Sequence, residues 1–505
     1  MNAPPVRPNP LRAALSTALL SVGIAGEAAA AQKMPSVEEL WKVIQQQQQE
    51  IEALKTKLGQ TETVQKEVKQ EVQDLKTASK GEAPSEPGKP AEEAGKKKVK
   101  SESDRKTDIL AAEVEKLKTS LIIPEKREYK SMYGMAPAAS QVYMNKRGLS
   151  IGGYGEFFYT NFQNDGVEKS LQQKNTADMA RLVLYAGYKF NDWIVLNNEI
   201  EFEHGSTGEG SEEKGEVSVE FSYLDFLFDP RANVRTGLML VPMGFINEIH
   251  EPTFFHGNRR PEVEQLIIPT TWREMGVGVH GEIVPGLVYR AYGINGLNAE
   301  GFDSFGIREG RQGGSQALAE NLAFTGRVDY MPPELPGLMV GASTFLGDAG
   351  QGNVFMTAAG PQKPNVFTQL YEGHLQWHYR GFEFRALGAW GGIGDAAILS
   401  EAKGETVGSS NYGWYVEGAY DVLPWLWQGT TQYLAPFVRY QRYNTLATVP
   451  DGFTDYDGLY DRRIYQAGLT YKPITNIVIK ADYQNISSGA GQLPGQFNLG
   501  VGFIY

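Results

Sequence analysis

The last ten residues of the chain constrain its fold more than any other stretch. In residues 496–505, apolar side chains alternate with small or polar ones, and the chain ends on an aromatic residue. The apolar set is Phe497, Leu499, Val501, Phe503 and Tyr505. Alternation over this length is typical of a tilted β-strand that crosses a bilayer. Because the backbone of a lone strand is left unpaired in hydrocarbon, the pattern predicts a closed barrel whose assembly depends on Phe503 and Tyr505.

Composition is consistent with a barrel and argues against other classes. The chain has 57 Gly, 25 Tyr and 23 Phe among its 505 residues, as expected for many short strands with aromatic girdles. No apolar run approaches the ~18 residues of a membrane helix. The formal net charge of −12 argues against nucleic-acid binding. The absence of cysteine suits an oxidising envelope compartment.

The N-terminal region begins with a predicted signal peptide, residues 1–31. Arg7 and Arg12 precede an apolar run, and three alanines before Gln32 offer a cleavage site. Residues 32–76 follow a heptad in which nine of twelve a and d positions are apolar, which predicts a coiled coil. The apolar seam residues are Val37, Leu40, Ile44, Ile51, Leu54, Leu58, Val68, Val72 and Leu75. A single amphipathic helix docked on the barrel is the alternative.

The next two segments connect this helix to the barrel. Residues 77–106 are rich in Lys, Glu, Pro, Gly and Ser, which predicts a flexible linker. Its basic residues are predicted either to contact an anionic envelope polymer or lipid or to remain solvated; they are Lys96, Lys97, Lys98, Lys100, Arg105 and Lys106. Residues 107–147 are predicted to form a short helix, with Leu110, Val114, Leu117 and Leu121 on one face, and a connector.

From residue 148 the hydrophobic period changes to two, and residues 148–505 are predicted to form an all-β transmembrane antiparallel barrel of about 16 strands. The strands are predicted near 149–160, 178–189, 193–204, 216–228, 233–241, 274–283, 287–294, 324–331, 337–346, 368–379, 382–390, 412–422, 433–443, 463–472, 477–486 and 496–505. Short turns alternate with long loops. Outer-membrane barrels keep their short turns in the periplasm, and an even number of strands brings both ends of the barrel to that side. The coiled coil, which precedes the first strand, is therefore predicted to lie in the periplasm.

A family resemblance rests on two stretches, residues 237–276 (GLMLVPMGFINEIHEPTFFHGNRRPEVEQLIIPTTWREMG) and FNDWIVLNNEIEFEH from Phe190. They resemble the phosphate-selective porin O/P family of Gram-negative outer membranes, over roughly residues 148–505. The resemblance implies a homotrimer of barrels, an inward loop that narrows each pore, and basic residues along the passage. The heptad region is also similar to that of sugar porins with a periplasmic coiled coil.

Strand parity predicts which charged residues line the pore. Seven basic residues fall on the inward face: Arg181, Arg235, Arg290, Arg327, Arg385, Arg439 and Lys480. Arginine is a permanent charge whose planar donors match oxyanions. Five acids form a predicted acidic wall: Glu199, Glu201, Glu203, Glu216 and Glu220. A basic side opposite an acidic side orients dipolar solutes, which favours a general or sugar-tolerant pore over strict phosphate selectivity.

Residues 242–271 are predicted to form the constriction loop, with Glu248, His250, Arg259 and Arg260 as its site residues. An outside loop packed on a neighbouring subunit is the alternative. No enzyme or cofactor site is predicted, because the chain has six His, no Cys and no recognisable nucleophile motif. No metal site is predicted either, because His374 and His378 lie ~13 Å apart on one strand, too far to share an ion.

The function predicted from the sequence is therefore passive diffusion of small hydrophilic solutes across the outer membrane, with a preference for anions or phosphate. Two alternatives are a carbohydrate-preferring porin and a structural tether to the cell wall, with peptidoglycan as the partner of the coiled coil.

Overall fold

The computed structural model of the protein describes residues 129–205 and 215–505. The predicted signal peptide, coiled coil and linker, and the short helix predicted from Leu110 to Leu121, lie outside these residues. Within them, no helix is both long enough and apolar enough to span a membrane.

Sixteen antiparallel strands of the described residues close into a barrel, which confirms the predicted fold class. Each predicted strand overlaps one of them. The barrel strands are β1 (Gly148–Gln163), β2 (Thr176–Lys189), β3 (Ile194–Glu203), β4 (Val217–Asp229), β5 (Ala232–Leu240), β6 (Arg273–Val284), β7 (Leu287–Asn295), β8 (Leu322–Tyr330), β9 (Leu338–Asp348), β12 (Phe367–Tyr379), β13 (Phe382–Ile393), β14 (Ser410–Tyr420), β15 (Tyr433–Thr448), β16 (Asp461–Ile474), β17 (Ile477–Ser488) and β19 (Gly495–Ile504).

The remaining elements are short and lie between barrel strands. A hairpin of β10 (Phe355–Thr357) and β11 (Gly360–Gln362) and helix α2 (Ala396–Lys403) belong to long loops, and β18 (Gly491–Gln492) precedes β19. Helix α1 (Gln141–Met144) precedes β1 in the sequence, and α3 (Leu423–Leu426) lies in the connection between β14 and β15. We call the end of the barrel with short connections the short-turn end, and the other the long-loop end.

The barrel closes between its first and last strands. Strand β19 pairs with β17 on one side and with β1 on the other, where Ile504 lies opposite Tyr154. Tyr505 extends this pairing, because its N–H donates to the Gly153 carbonyl and its carbonyl accepts from the Gly153 N–H, both at 2.9 Å. The ring of backbone hydrogen bonds therefore includes the C-terminal residue.

Side chains alternate between the two faces of the barrel wall as the sequence predicts. On β19, Phe497 and Leu499 are 44% and 49% exposed, whereas Asn498 between them is fully buried. The outward face is apolar and aromatic on other strands as well, for example at Val438 and Tyr465. An apolar exterior around a polar interior is the arrangement of a barrel in lipid.

Strand β4 carries a β-bulge that changes its parity. Phe221 pairs with Glu199 and Val219 with Ile200, so Glu220 is the extra residue between them. A bulge places two consecutive side chains on nearly the same face, and both Glu220 and Phe221 are buried. Beyond the bulge, the odd-numbered residues of β4 point inward.

Candidate functional site

Residues 241–272, which we call the inward loop, fill much of the barrel interior. The loop follows β5, is anchored to β5 and β6 at its two ends, and contains a π-helical turn, Val263–Ile267. Its side chains and carbonyls contact nine strands around the barrel. The contacts are Arg259 with Thr160, His250 with Glu199, Glu248 with Arg290, Gly244 with Arg327, Phe254 with Arg385, Glu264 with Tyr415, His256 with Arg439 and Thr470, and Asn258 with Asp482. Only an interior position allows all of these.

The predicted site residues of this loop are divided between interior and rim. Glu248, His250 and Arg260 are buried, and Arg259 is half-buried with its guanidinium 4.4 Å from the Phe158 ring. Burial lowers the pKa of His250 to about 4, so this imidazole is neutral near pH 7. Its Nε2 lies 3.1 Å from Oε1 of Glu199, and its Nδ1 lies 3.1 Å from the Asn247 carbonyl. The loop thus places an uncharged ring against the predicted acidic wall.

A second piece of chain also lies inside the barrel. Residues 131–147, the N-terminal segment, run along the interior at the short-turn end before β1 begins. Asn197 of β3 donates to the Ala139 carbonyl at 3.0 Å, and the Tyr143 hydroxyl donates to Asp225 of β4 at 2.8 Å. The backbone N–H of Ala138 donates to Glu251 of the inward loop at 2.8 Å. What the sequence indicated as a connector is packed between the wall and the loop.

The seven predicted basic residues all lie on inward-facing positions of strands, and six of them are buried. Arg181 is half-buried. Five of the seven have carboxylate partners within 4.0 Å. The pairs are Arg181 with Glu156 and Glu201, Arg235 with Asp225, Arg290 with Glu248 and Asp329, Arg327 with Asp329 and Glu248, and Arg439 with Glu417. Their charges are therefore compensated locally rather than presented bare to a solute.

The two other basic residues have aromatic neighbours. Arg385 donates to the Phe254 carbonyl at 2.6 Å, and its guanidinium lies 4.3 Å from the Phe254 ring. The Lys480 ammonium lies 3.7 Å from the centre of the Phe255 ring and has no hydrogen-bond partner among the described residues. No ion pair between described residues includes either cation within 4.0 Å. Two basic side chains outside any ion pair are thus found on strands β13 and β17.

The predicted acidic wall lies on the opposite side and extends toward the long-loop end. Glu199, Glu201 and Glu220 are buried, Glu203 is half-buried, and Glu216 is exposed. Glu201 pairs with Arg181 at 3.2 Å, and Glu220 with Arg273 at 2.7 Å.

Several polar atoms beside this wall have no protein partner among the described residues. They are the Tyr154 hydroxyl, Oε2 of Glu199, and Nε and Nη2 of Arg260. Since buried polar atoms in native proteins are hydrogen-bonded to protein or to water, this group marks a hydrated part of the interior. We call it the polar seam; it lies between the inward loop and strands β1 and β3.

A vestibule opens at the short-turn end. It is a cavity of about 440 Å³ whose walls include Tyr133 of the N-terminal segment, Ile249 of the inward loop, and His280 and Arg290 of the barrel wall. Pro230 and Met331, in the short turns, lie at its mouth.

Three of the acids that compensate the arginines, Asp225, Asp329 and Glu417, were missed by the sequence prediction, although sequence signals for them exist. Asp329 follows Arg327 by two residues on the same strand, so both share a face. Asp225 lies opposite Arg235 across the β4–β5 hairpin, and Glu417 lies opposite Arg439 across β14 and β15. Pairing β14 with β15 would have revealed Glu417, whereas the inward position of Asp225 depends on the β-bulge in β4.

Within residues 129–205 and 215–505, no group of three or more His, Asp or Glu side chains is arranged to hold a metal ion. His374 instead lies between Asp329 and Glu372, at 2.8 and 2.7 Å, in the network that also holds Arg327.

The acidic wall supports a direct test. Replacing Glu199, Glu201 and Glu203 with Gln is expected to raise the permeability of chloride relative to potassium several-fold, because it removes negative potential with little change in volume. The measurement is the reversal potential in a planar bilayer under a salt gradient. The exposed Glu300→Gln is the matched control, and its effect should be small. An unchanged reversal potential in the triple variant would place the conduction path away from the polar seam.

Comparison with known proteins identifies a relative but no characterised family. No family model matches the sequence. An uncharacterised protein of Aquifex aeolicus is 39% identical over 380 residues, which cover 73% of this chain and 82% of the relative. The chain belongs to the family of this A. aeolicus protein. Membership in that family therefore establishes common descent and leaves the function to be argued from the site.

Several solved structures of other proteins resemble the fold of this chain, and those described here are outer-membrane porins or channels. OmpF of Salmonella typhi covers 71% of the chain at 11% identity with a TM-score of 0.46, and its own chain is covered to 98%. The channel DcaP of Acinetobacter baumannii covers 71% at 13% identity and a TM-score of 0.44, with 97% of its chain covered. An anion-selective porin from Comamonas acidovorans covers 71% at 12% identity and a TM-score of 0.42, with 99% of its chain covered. Likenesses at this level carry no argument about the function of this chain.

Proposed function

We propose that this protein is an outer-membrane porin through which small hydrophilic solutes diffuse passively. The observation that carries the proposal is the reversal of polarity across the barrel wall. Outward side chains such as Leu499 and Val438 are apolar and exposed, whereas inward side chains such as Asn498, Arg439 and Glu417 are polar or charged. A barrel of 16 strands that faces lipid and encloses charged groups is the architecture of an aqueous channel.

The experiment is a planar-bilayer recording of the purified full-length protein. Discrete, voltage-independent current steps carried by both potassium and chloride support the proposal. Swelling of liposomes that contain the protein, when they are placed in a sugar solution, supports it as well. Folded, heat-modifiable protein that gives no steps and no solute flux in any condition would contradict it.

The selectivity we propose is a modest preference for anions, phosphate among them. Its support is Arg385 and Lys480, which form no ion pair within 4.0 Å among the described residues, whereas the other five predicted basic residues do. An inward guanidinium that is not held in an ion pair attracts oxyanions through both charge and planar donors. The resemblance to phosphate-selective porins agrees with this proposal, and the acidic wall across the interior limits the preference.

Replacement of Arg385 and Lys480 with Gln tests this preference. The chloride-to-potassium permeability ratio and the phosphate flux are expected to fall several-fold, while the flux of an uncharged sugar changes little. The difference should shrink at 1 M salt, where the Debye length is ~3 Å. Arg380→Gln is the matched control, because Arg380 lies exposed in a short turn. An equal loss for charged and uncharged solutes would indicate steric blockage instead of lost selectivity.

A second role, attachment to the cell wall, is favoured by the heptad in residues 32–76. A coiled coil in the periplasm would contact peptidoglycan or hold three barrels together as a homotrimer. Deleting residues 37–75 separates these roles: loss of envelope attachment with intact conductance indicates tethering, and loss of trimers indicates assembly.

A further inference from the structure

The N-terminal segment lies between the polar seam and the vestibule. On one side, the Ala138 N–H donates a hydrogen bond to Glu251, and the Ala139 carbonyl accepts one from Asn197. Asn197 is two residues from Glu199 on β3, on the side toward the short-turn end, so these contacts lie at the lower edge of the polar seam. On its other side, Tyr133 forms part of the wall of the vestibule. A solute moving between seam and vestibule would have to pass this segment.

The segment closes the interior tightly because its side chains are small or apolar. Ala136, Ala138 and Ala139 are 1–2% exposed, and Val142 is 1% exposed. A Cβ atom built on Gly187 of β2 would lie 2.7 Å from Cβ of Val142, and one built on Gly134 would lie 2.5 Å from Nε of Arg290. Wall and segment therefore approach to contact distance, and a glycine on each side makes this approach possible.

The way in which the segment is held differs from that of the inward loop. The loop is fixed at both ends by strands β5 and β6 and along its length by charged side chains, among them Arg290, Arg327 and Arg439. The segment joins the barrel only where β1 begins, at Gly148. It can leave the interior without breaking any strand pairing.

Charge also favours reversible withdrawal. Residues 131–144 contain no Asp, Glu, Lys, Arg or His. The ion pair between Arg235 and Asp225, which the segment covers, is complete without it at 2.8 Å. Withdrawal of the segment thus leaves this ion pair intact, while the hydrogen bonds that the segment makes to Glu251, Asn197 and Asp225 are exchanged for bonds to water.

From this position and this mode of attachment we propose that residues 132–144 are a movable plug that closes the short-turn end of the passage. The proposal rests on the proposed porin function. With the plug in place, the polar seam is closed toward the vestibule; with the plug withdrawn, small hydrophilic solutes pass along the seam between the inward loop and strands β1 and β3.

A reversible cross-link tests the plug. The chain has no cysteine, so the double variant Val142→Cys, Gly187→Cys contains one possible disulfide. The 2.7 Å separation is shorter than the ~3.8 Å between Cβ atoms in a disulfide, and a small shift of the segment would bring the pair into range. Oxidised full-length protein is expected to lose its single-channel steps in a planar bilayer, and dithiothreitol is expected to restore them.

Two further variants keep the result interpretable. Val438→Cys, Ala467→Cys joins β15 and β16 at a directly opposed pair on the outward face, away from the plug, and its conductance should not depend on the redox state. Tyr143→Phe removes the hydroxyl that bonds to Asp225 and is expected to raise the fraction of time open about tenfold, as one hydrogen bond to a charged group can contribute.

The outcomes separate the plug from the porin. Steps of equal size and frequency in the oxidised and reduced forms, with Tyr143→Phe unchanged, would overturn the plug and leave the porin standing. Folded protein that gives no steps in the wild type, in the reduced form and in Tyr143→Phe would overturn both. Loss of steps on oxidation with recovery on reduction supports the plug, whereas a loss that reduction does not reverse contradicts it.

Discussion

Removal of residues 503–505 is expected to prevent barrel closure, so that the protein accumulates unfolded or is degraded in the periplasm. The truncation deletes the two 2.9 Å hydrogen bonds between Tyr505 and Gly153, and the pairing of Phe503 with both Gly155 and Ile477. It also frees the Asn476 side chain and carbonyl, both of which bond to Ile504. Each backbone group left unpaired in hydrocarbon costs several kcal/mol, so this seam would not stay closed.

The measurement is heat modifiability on gels together with protease resistance of the membrane fraction. Tyr505→Phe is the matched control, since it keeps the aromatic ring and both backbone hydrogen bonds; we expect it to assemble normally. Normal assembly of the truncated protein would contradict the closing role of these residues and would show that β1 and β17 can be bridged without them.

The strands could be predicted from sequence because the pattern that specifies them is local. Lipid on one side and a polar interior on the other impose a period of two on each strand, and the alternation in residues 496–505 is sufficient to identify β19. The short turns are equally local, since Gly286 and Gly381 adopt the positive φ values of 84° and 83° that tight connections require.

The charge pairing inside the barrel could be predicted only in part, because it depends on register between strands. Glu216 and Glu220 on β4 suggested that even-numbered residues point inward. The bulge at Glu220 reverses this, so that Asp225 faces the interior and pairs with Arg235. A bulge has no fixed sequence signature here, and one inserted residue changes the face of every residue beyond it.

The position of the N-terminal segment had no sequence signal that could be recognised. Residues 131–144 are uncharged, contain Gly, Pro and three alanines among apolar residues, and follow neither a helical nor a strand period. Their burial depends on the cavity formed by distant strands, as the contact between Ala139 and Asn197 illustrates. Such a fit becomes visible only when the closed barrel is known.

Replacement of Arg439 with Met is expected to destabilise the folded barrel by about 3–5 kcal/mol. This is the usual cost of removing one member of a buried ion pair, because the other charge stays buried without its partner. Arg439 is 3% exposed and donates to Glu417 through Nε at 2.8 Å, and to the oxygen of Gln466 at 2.8 Å. The same guanidinium donates to the His256 carbonyl of the inward loop at 2.8 Å. The variant therefore loses an ion pair and a loop contact together.

The double variant Arg439→Met, Glu417→Met distinguishes these two losses. It removes the buried carboxylate that the single variant leaves without a cation, so most of the lost stability should return, seen as recovery of the temperature at which the folded form disappears on gels. The loop contact does not return, because no donor remains for the His256 carbonyl. We therefore expect both variants to show larger fluctuations of single-channel current than the wild type, while only the single variant unfolds early. If the double variant is as unstable as the single one, the ion pair is not the source of the stability, and the role of Arg439 reduces to holding the inward loop against β15.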